Sequence, residues 1–334
     1  MDIVILLSIT LLIYLLPQNK EYLCVKSTSG LRGFLALGII FHHLSPWVTT
    51  GSEFSNFSYM GAYIVSIFFF LSAYGLYNQN ENKRNYLDKF LVTRLSKILL
   101  PFFAVSLIYL LYRFVDGQLL DLNFFISLFK NGSTIIFNGW FVNVIILLYI
   151  FFYTSFNFLQ NKLLSIILNS ILIIFYICLA IKMGYGFWWY NSTLAFILGL
   201  IWAKYQDVID KVLDSYYFVV LFSVAVLLFV SHHYGNLLSY LHIEDSYSYA
   251  LAANINNIIF TIYFVVSFLK KINFSNVFLI LLGGISFELY MIHGLVISML
   301  GKIFVSSPVN DVLLTIFTLI ISISLAWIVN KLVN

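Results

Sequence analysis

The stretch "LRGFLALGIIFHHL" occupies residues 31–44 and is apolar enough to lie in a bilayer, yet it carries Arg32 near one end and two histidines at the other. Charged and titratable side chains are costly in lipid, so those found there usually face a protein interior or a polar cavity. The stretch therefore predicts a membrane-embedded helix that carries a functional site.

The composition of the whole chain is that of a membrane protein. Of its 334 residues, 61% are hydrophobic and 10% are charged, and the mean hydropathy is +0.95. A soluble chain of this length does not reach such values. The net charge of +4 consequently indicates membrane lipid, not nucleic acid, as a partner. Two cysteines, Cys24 and Cys178, are too few for a disulfide framework, and we expect no metal site.

Ten apolar segments are long enough to approach or cross a hydrocarbon core of about 30 Å. They lie at 31–48, 59–78, 98–115, 139–157, 164–182, 191–205, 216–231, 249–269, 277–300 and 308–330. The predicted fold class is all-α, a polytopic transmembrane helical bundle of ten core spans plus a short N-terminal apolar helix. We expect residues 1–30 to form that helix and a cytoplasmic linker, and residues 31–334 to form the transmembrane domain.

The N-terminal run "DIVILLSITLLIYLL" covers only about 22 Å as a helix. It fits either an extra short span or an interfacial helix. If the spans alternate from a cytoplasmic start at residue 31, four basic residues fall outside, namely Arg113, Lys130, Lys182 and Lys302, and the other fourteen of 18 fall inside. This bias predicts that Arg32 lies at the cytoplasmic end of its helix and the two histidines toward the outer end.

Helical geometry separates the two histidines. At 100° per residue, His42 lies about 80° from the face of Arg32, whereas His43 lies only about 20° from that face and about 16 Å further along the axis. One stripe of this helix therefore presents Arg32 to a cytoplasmic ligand and His43 to a reaction centre. The alternative is that Arg32 extends to the interface and the histidines cap the outer end of the helix.

Five segments in order along the chain resemble acyltransferase family 3, membrane proteins that O-acylate bacterial surface glycans and related acceptors. They are "LRGFLALGIIFHH" at 31–43, "FFFLSAYGLY" at 68–77, "KFLVTRLSKILLPFF" at 89–103, "GWFVNVIILLY" at 139–149 and "SFELYMIH" at 286–293. The resemblance spans roughly 31–300. It departs from the family at Ala73, where glycine is usual, and after Trp140, where many members have acidic residues. The fused extracellular esterase-like domain of some members is also missing.

The resemblance implies an acetyl-coenzyme A-dependent O-acetyltransferase of the bacterial plasma membrane. Its acceptor would be a hydroxyl of a surface or capsular polysaccharide, or of a lipid-linked precursor. His43 would exchange protons with the acceptor hydroxyl and the leaving thiolate, or carry the acyl group covalently, with Arg32 and His293 completing the catalytic set. Ser72, Trp140, Ser286 and Tyr290 would contact substrate.

The donor site is expected among three basic residues. Arg94 and Lys97 are three apart at the start of a helix and share a face, and arginine suits phosphates because its planar fork donates hydrogen bonds in pairs. The resemblance implies that these two residues and Arg32 bind acyl-coenzyme A. The plain alternative is that they only obey the positive-inside rule.

Three polar residues share one face of the ninth predicted span, Ser286, Tyr290 and His293. They fit either interhelical hydrogen bonding or a place in the site. No acid is assigned as the partner of His43, and the accessible candidates are Glu53 and Asp116. A membrane transporter that uses Arg32, His43, Glu288 and His293 for substrate or proton passage is the alternative function. The oligomeric state stays open, a homodimer included.

Overall fold

The computed structural model describes residues 3–52, 54–130, 133–240, 245–304 and 307–333. These residues form helices joined by turns and loops, and no strand occurs among them. The helices are α1 Ile3–Tyr14, α2 Val25–Leu44, α3 Gly61–Asn82, α4 Phe90–Val115, α5 Leu122–Lys130, α6 Trp140–Phe158, α7 Lys162–Lys182, α8 Leu194–Lys204, α9 Gln206–Tyr240, α10 Ser246–Phe264, α11 Val277–Gly284, α12 Ser286–Ile303 and α13 Pro308–Val333. A π-helical segment, Val265–Leu269, continues α10.

Seven described helices are long and apolar enough to cross a membrane. They are α3, α4, α6, α7, α9, α10 with its π-helical continuation, and α13. The all-α class and the multi-pass membrane character predicted from composition are confirmed. Seven of the ten predicted segments coincide with these helices, although α4 begins at Phe90, eight residues before the predicted start.

The count of ten spans is not confirmed, and three segments differ from the prediction. The segment 277–300 is not one straight helix, because α11 and α12 meet at Ile285 with a bend of 76° and together pass as an eighth span. The helix in segment 191–205 is only α8, 11 residues long. Helix α2 has 20 residues, but it is more polar than the seven because it contains Lys26, Arg32 and two histidines.

The N-terminal apolar helix is shorter than its apolar run. Helix α1 has 12 residues, which cover about 18 Å and fall short of a hydrocarbon core of about 30 Å. It packs on α9 and the π-helical segment, and the hydroxyls of Thr10 and Tyr263 are hydrogen-bonded at 3.0 Å. As one straight helix, α1 is therefore too short to be the extra span.

The chain divides into two compact units that do not follow the predicted boundary at residue 30, and the prediction of two parts remains a prediction. The first unit comprises Met1–Thr28, Val65–Lys89 and Leu148–Phe274. Its buried asparagines support the irregular backbone before α8: Asn254 Nδ2 donates to Tyr190 O at 2.9 Å and Asn257 Nδ2 to Asn191 O at 2.8 Å. Amides are needed there because unpaired carbonyls are costly in an apolar interior.

The second unit comprises Ser29–Ile64, Phe90–Leu147 and Ser275–Asn334. Within it, α12 packs against α4 and α13, and these two helices also contact each other. Helix α2 crosses α11 very closely, since a Cβ added at Gly33 would overlap the carbonyl oxygen of Leu279 and one added at Gly283 would overlap that of Ser29. Small residues at such crossings let helix backbones approach closely in membranes.

Candidate active site

Two histidines from different helices of the second unit meet. His43 lies in the last turn of α2, and His293 lies in the middle of α12. Their ring centroids are 5.0 Å apart with an interplanar angle of 30°. The sequence predicts both residues as catalytic on separate grounds, and the fold brings them together across 250 residues of chain.

The tautomer of His293 follows from its own helix. His293 is fully buried, and its Nδ1 lies 3.1 Å from the carbonyl oxygen of Leu289, one turn earlier. A carbonyl only accepts, so Nδ1 carries the proton and Nε2 has the lone pair. Among the described residues, Nε2 has no hydrogen-bond partner. A buried acceptor next to His43 is thus available to a hydroxyl or thiol donor.

His42 is held in a different way from its neighbour. Its Nδ1 donates to the carbonyl oxygen of Phe57 at 3.0 Å, and its ring leaves no room for a side chain at Gly61. The His42 and His43 ring centroids are 4.7 Å apart, but only His43 lines the cavity described next. The structure therefore gives His42 a supporting position beside the short helix Phe54–Tyr59.

A cavity of about 340 Å³ adjoins His43. Its wall includes two aromatic rings, Trp47 and Phe137, and two polar side chains, Asn138 and Ser298. Such a combination, mostly apolar with a few polar groups, is typical of small-molecule sites. Trp47 fits against α12 because position 301 is glycine, whose missing Cβ would overlap the indole ring.

The loop before α6 is pinned to α12 and reaches His43. Tyr290 Oη donates to the backbone oxygen of Asn138 at 2.5 Å, and the side-chain Nδ2 of Asn138 lies 3.4 Å from His43 Nδ1. On the adjoining α4, Tyr109 Oη donates to the carbonyl of Met291 at 3.0 Å. Two tyrosines thus fix α12 and this loop around the His43–His293 pair.

Asp311 organises the segment that follows α2. Its Oδ2 accepts from Thr49 N at 3.1 Å, Thr50 N at 2.9 Å and Thr50 Oγ1 at 2.5 Å. Because these hydrogen bonds are charge-assisted and Asp311 is 4% exposed, we expect Asp311→Ala to cost about 1–3 kcal/mol and to lower activity by releasing the segment that holds Trp47. Asp311→Asn, which keeps an acceptor, is expected to lose less. Thermal unfolding in detergent and turnover check this, and equal losses from both variants would contradict it.

The three predicted donor-binding residues all lie in the second unit. Arg32 is in the second turn of α2 and is exposed, and Arg94 and Lys97 lie in the first two turns of α4, with Lys97 exposed and Arg94 half-buried. Helix α2 is continuous from Val25 to Leu44, as the stripe connecting Arg32 to His43 requires. Their use in binding acyl-coenzyme A remains a prediction.

The predicted substrate-binding residues separate into three groups. Tyr290 lies 5.8 Å from His293 between ring centroids, and Trp140 starts α6 two residues after Asn138. Ser286 instead donates to Gly283 O at 2.9 Å, at the bend between α11 and α12. Ser72 belongs to the first unit, where it shares a hydrogen bond of 2.9 Å with Tyr149. Contact of any of them with substrate stays a prediction.

The acids near the predicted site have other partners. Asp116 pairs with Lys302 at 2.8 Å, and Glu53 lies outside the described residues. Glu288, left without a partner by sequence reasoning, accepts from Asn330 Nδ2 at 3.0 Å. Among the described residues no hydrogen bond or ion pair joins His43 to a carboxylate.

Sequence reasoning missed Asn138, Trp47 and Phe137. A signal was present for Asn138, because Asn-Gly at 138–139 marks a turn with left-handed backbone, directly before the Trp-Phe helix. Trp47 and Phe137 gave no such signal, since single aromatic residues are common in an apolar chain with 34 phenylalanines.

Comparison with known proteins gives one clear match. A family model, the acyltransferase domain of the acyltransferase 3 type, matches residues 26–331. That range contains His43, His293, Asn138 and the three predicted donor-binding residues. No curated protein and no solved structure matches the chain.

Proposed function

Because the chain belongs to the acyltransferase 3 family, we propose that it is a multi-pass membrane O-acyltransferase that moves an acetyl group from acetyl-coenzyme A to a sugar hydroxyl. The observation that carries this proposal is the His43–His293 pair, 5.0 Å apart beside a cavity. The proposed location is the bacterial plasma membrane. The acceptor is a surface or capsular polysaccharide or its lipid-linked precursor.

The donor arrives from the cytoplasmic side. Acetyl-coenzyme A carries several negative charges in its phosphates, and Arg32, Arg94 and Lys97 are the cations proposed to meet them. The distance from Arg32 to His43 along α2 is about 16 Å, which the slender pantetheine arm spans. Its thioester then lies near His43.

The cavity supports an uncharged sugar as the acceptor. Trp47 and Phe137 offer apolar ring faces, and Asn138 and Ser298 offer hydrogen-bonding groups. Sugar rings present both apolar faces and hydroxyls, so a wall of this kind suits them better than it suits a charged acceptor.

The proposed chemistry uses histidine as a base and then as an acid. His43 takes the proton of the acceptor hydroxyl while its oxygen attacks the thioester carbonyl. The carbon–sulfur bond then breaks, and the thiolate of coenzyme A takes the proton back from His43. The new bond is an O-acetyl ester. His293 Nε2 accepts a hydrogen bond from the hydroxyl or the thiol. Transfer through an acetyl-His43 intermediate is the alternative route.

The test is label transfer in isolated membranes. Membranes that contain the wild-type chain, supplied with radiolabelled acetyl-coenzyme A, are expected to label the glycan fraction, and membranes with His43→Ala are expected not to do so. NMR of the glycan purified from a complemented deletion strain would identify the acetylated sugar. Absence of labelled glycan with the wild-type chain would exclude acetyl transfer to that acceptor.

The donor site gives a second expected result. Arg94→Gln or Arg32→Gln removes a charge-assisted hydrogen-bond donor, so the KM for acetyl-coenzyme A is expected to rise roughly tenfold to a hundredfold. Lys83→Gln removes one charge from the same basic region and is the control, with an unchanged KM expected. Equal effects of all three substitutions would mean that only the net positive charge matters.

A transporter is the second candidate, and one observation favours it. The bend at Ile285 breaks a membrane span, and broken helices line substrate sites in many transporters, where they come in corresponding pairs. Within the described residues one such bent pair is found. A carrier would move its substrate without acyl-coenzyme A, so the label experiment separates the two functions.

A further inference from the structure

Asn138 has an unusual backbone that brings its side chain to His43. Its φ is +60°, and the other described non-glycine residue with positive φ is Asn85, at +52°. Asparagine tolerates this left-handed region better than most residues, although glycine suits it best. The conformation at Asn138 places its amide 3.4 Å from His43 Nδ1 and lets its carbonyl accept from Tyr290.

The loop does not need the Asn138 side chain for its shape. Thr134 Oγ1 donates to Ile136 O, and Arg113 Nη2 donates to Ile135 O at 3.4 Å. The Arg113 guanidinium also lies 4.9 Å from the centre of the Phe137 ring. With Tyr290 holding the backbone oxygen at position 138, the amide contributes its one printed contact to His43.

A base histidine works from one defined tautomer. When Nδ1–H donates to a fixed acceptor, the lone pair is at Nε2, where a substrate proton can be taken. A carboxylate commonly supplies that acceptor, but no carboxylate contacts His43 among the described residues. The amide of asparagine has an acceptor and a donor of nearly equal size, and rotation about its last bond exchanges them. With Oδ1 toward His43, Asn138 fills the role.

We propose that Asn138 is the positioning residue of His43, holding its imidazole in the Nδ1–H tautomer in place of a carboxylate. The proposal rests on the proposed acyl transfer. It assigns a function to the turn before the Trp-Phe helix, in a chain that lacks the acids expected after that pair. An amide orients the ring but adds no negative charge, so it favours a neutral His43 that is ready to accept a proton.

The first experiment compares two asparagines with the same backbone. Asn138→Gly keeps the left-handed conformation and the carbonyl that accepts from Tyr290, and it removes the amide alone. We expect kcat to fall about a hundredfold, with the KM for acetyl-coenzyme A and the thermal unfolding midpoint unchanged. Asn85→Gly makes the same change in an exposed turn and is expected to leave all three values unchanged. A wild-type kcat in Asn138→Gly would overturn the proposal, as would a loss matched by an equally large loss of folded protein.

A charge variant gives a readout that a structural role would not move. Asn138→Asp places a carboxylate beside His43, and the acid limb of the pH–rate profile is expected to move to higher pH by about one unit or more, since a neighbouring negative charge favours the imidazolium. Partial activity at high pH is expected to return. A limb that stays at its wild-type position would contradict the positioning role.

A third readout is independent of acyl transfer. NMR of the ¹⁵N-histidine-labelled protein, assigned with His43→Gln, is expected to show the Nδ1–H tautomer of His43 in wild type and a mixture of tautomers in Asn138→Gly. Identical tautomers in both proteins would overturn the inference whether or not the chain transfers acetyl groups. Absence of transfer with the expected tautomers would instead count against the proposed function alone.

Discussion

Replacing His43 by alanine is expected to abolish acyl transfer while the protein stays folded. Position 43 borders a cavity, so a smaller side chain there enlarges a space that already exists. The substitution removes the group that exchanges protons with the acceptor hydroxyl and the thiolate, and a positioned general base contributes roughly a hundredfold to ten-thousandfold in rate. Single-turnover transfer from acetyl-coenzyme A in membranes measures the loss, and detergent-solubilised size-exclusion profiles report folding.

His42 is the matched control, because it is the same residue type one position earlier on the same helix. Its imidazole donates to Phe57 O and does not line the cavity, so His42→Ala is expected to lower transfer only modestly by loosening the short helix Phe54–Tyr59. Equal and complete loss from both variants would contradict the assignment of the base to His43. A pH–rate profile left unchanged by His42→Ala would support it further.

Apolar length predicted most of the fold. Long uncharged runs such as those of α7 and α13 need only propensity and hydropathy to be recognised, because the bilayer forces them to be helical. The bend at Ile285 could not be recognised in that way. The residues of α11 and α12 are apolar on both sides of it, and the bend depends on tertiary packing around Gly283 and on the hydrogen bond of Ser286.

The candidate site was predictable to the extent that it lies on helices. Helical spacing correctly separated His43 from His42, since angle and rise are fixed by the backbone. The meeting of His43 with His293 depends on how α2 and α12 pack, and spacing within one helix carries no information about that. Asn138 lies in a turn, and its proximity to His43 depends on the hydrogen bond from Tyr290 to its carbonyl.

Tyr290 illustrates how the two interpretations of one stripe were both useful. Sequence spacing left open whether Tyr290 contacts substrate or hydrogen-bonds between helices. Its hydroxyl is engaged by the backbone of Asn138 at 2.5 Å, which is a bond of the second kind. That bond nevertheless places a side chain beside the candidate base, so a structural contact and the chemistry of the site are connected through one residue.

The second large effect is expected at the crossing of α2 and α11. A Cβ at position 283 would overlap the carbonyl oxygen of Ser29, a backbone atom that can move only with its helix. Gly283→Ala is therefore expected to push α2 outward, at a cost of about 3 kcal/mol, the upper part of the usual range for overpacking. Because α2 carries both Arg32 and His43, loss of transfer is expected to accompany loss of stability.

Gly284 provides the control for this crossing. It is the adjacent residue in the same last turn of α11, and a Cβ there would meet nothing within 4 Å. Gly284→Ala is expected to be neutral or stabilising by up to about 1 kcal/mol, because alanine loses less conformational freedom than glycine in a helix. Thermal unfolding of both variants in the same detergent measures the difference. If Gly283→Ala unfolds at the temperature of Gly284→Ala, the close approach of α2 and α11 does not hold the base in place, and the position of His43 must depend on its own contacts with α12.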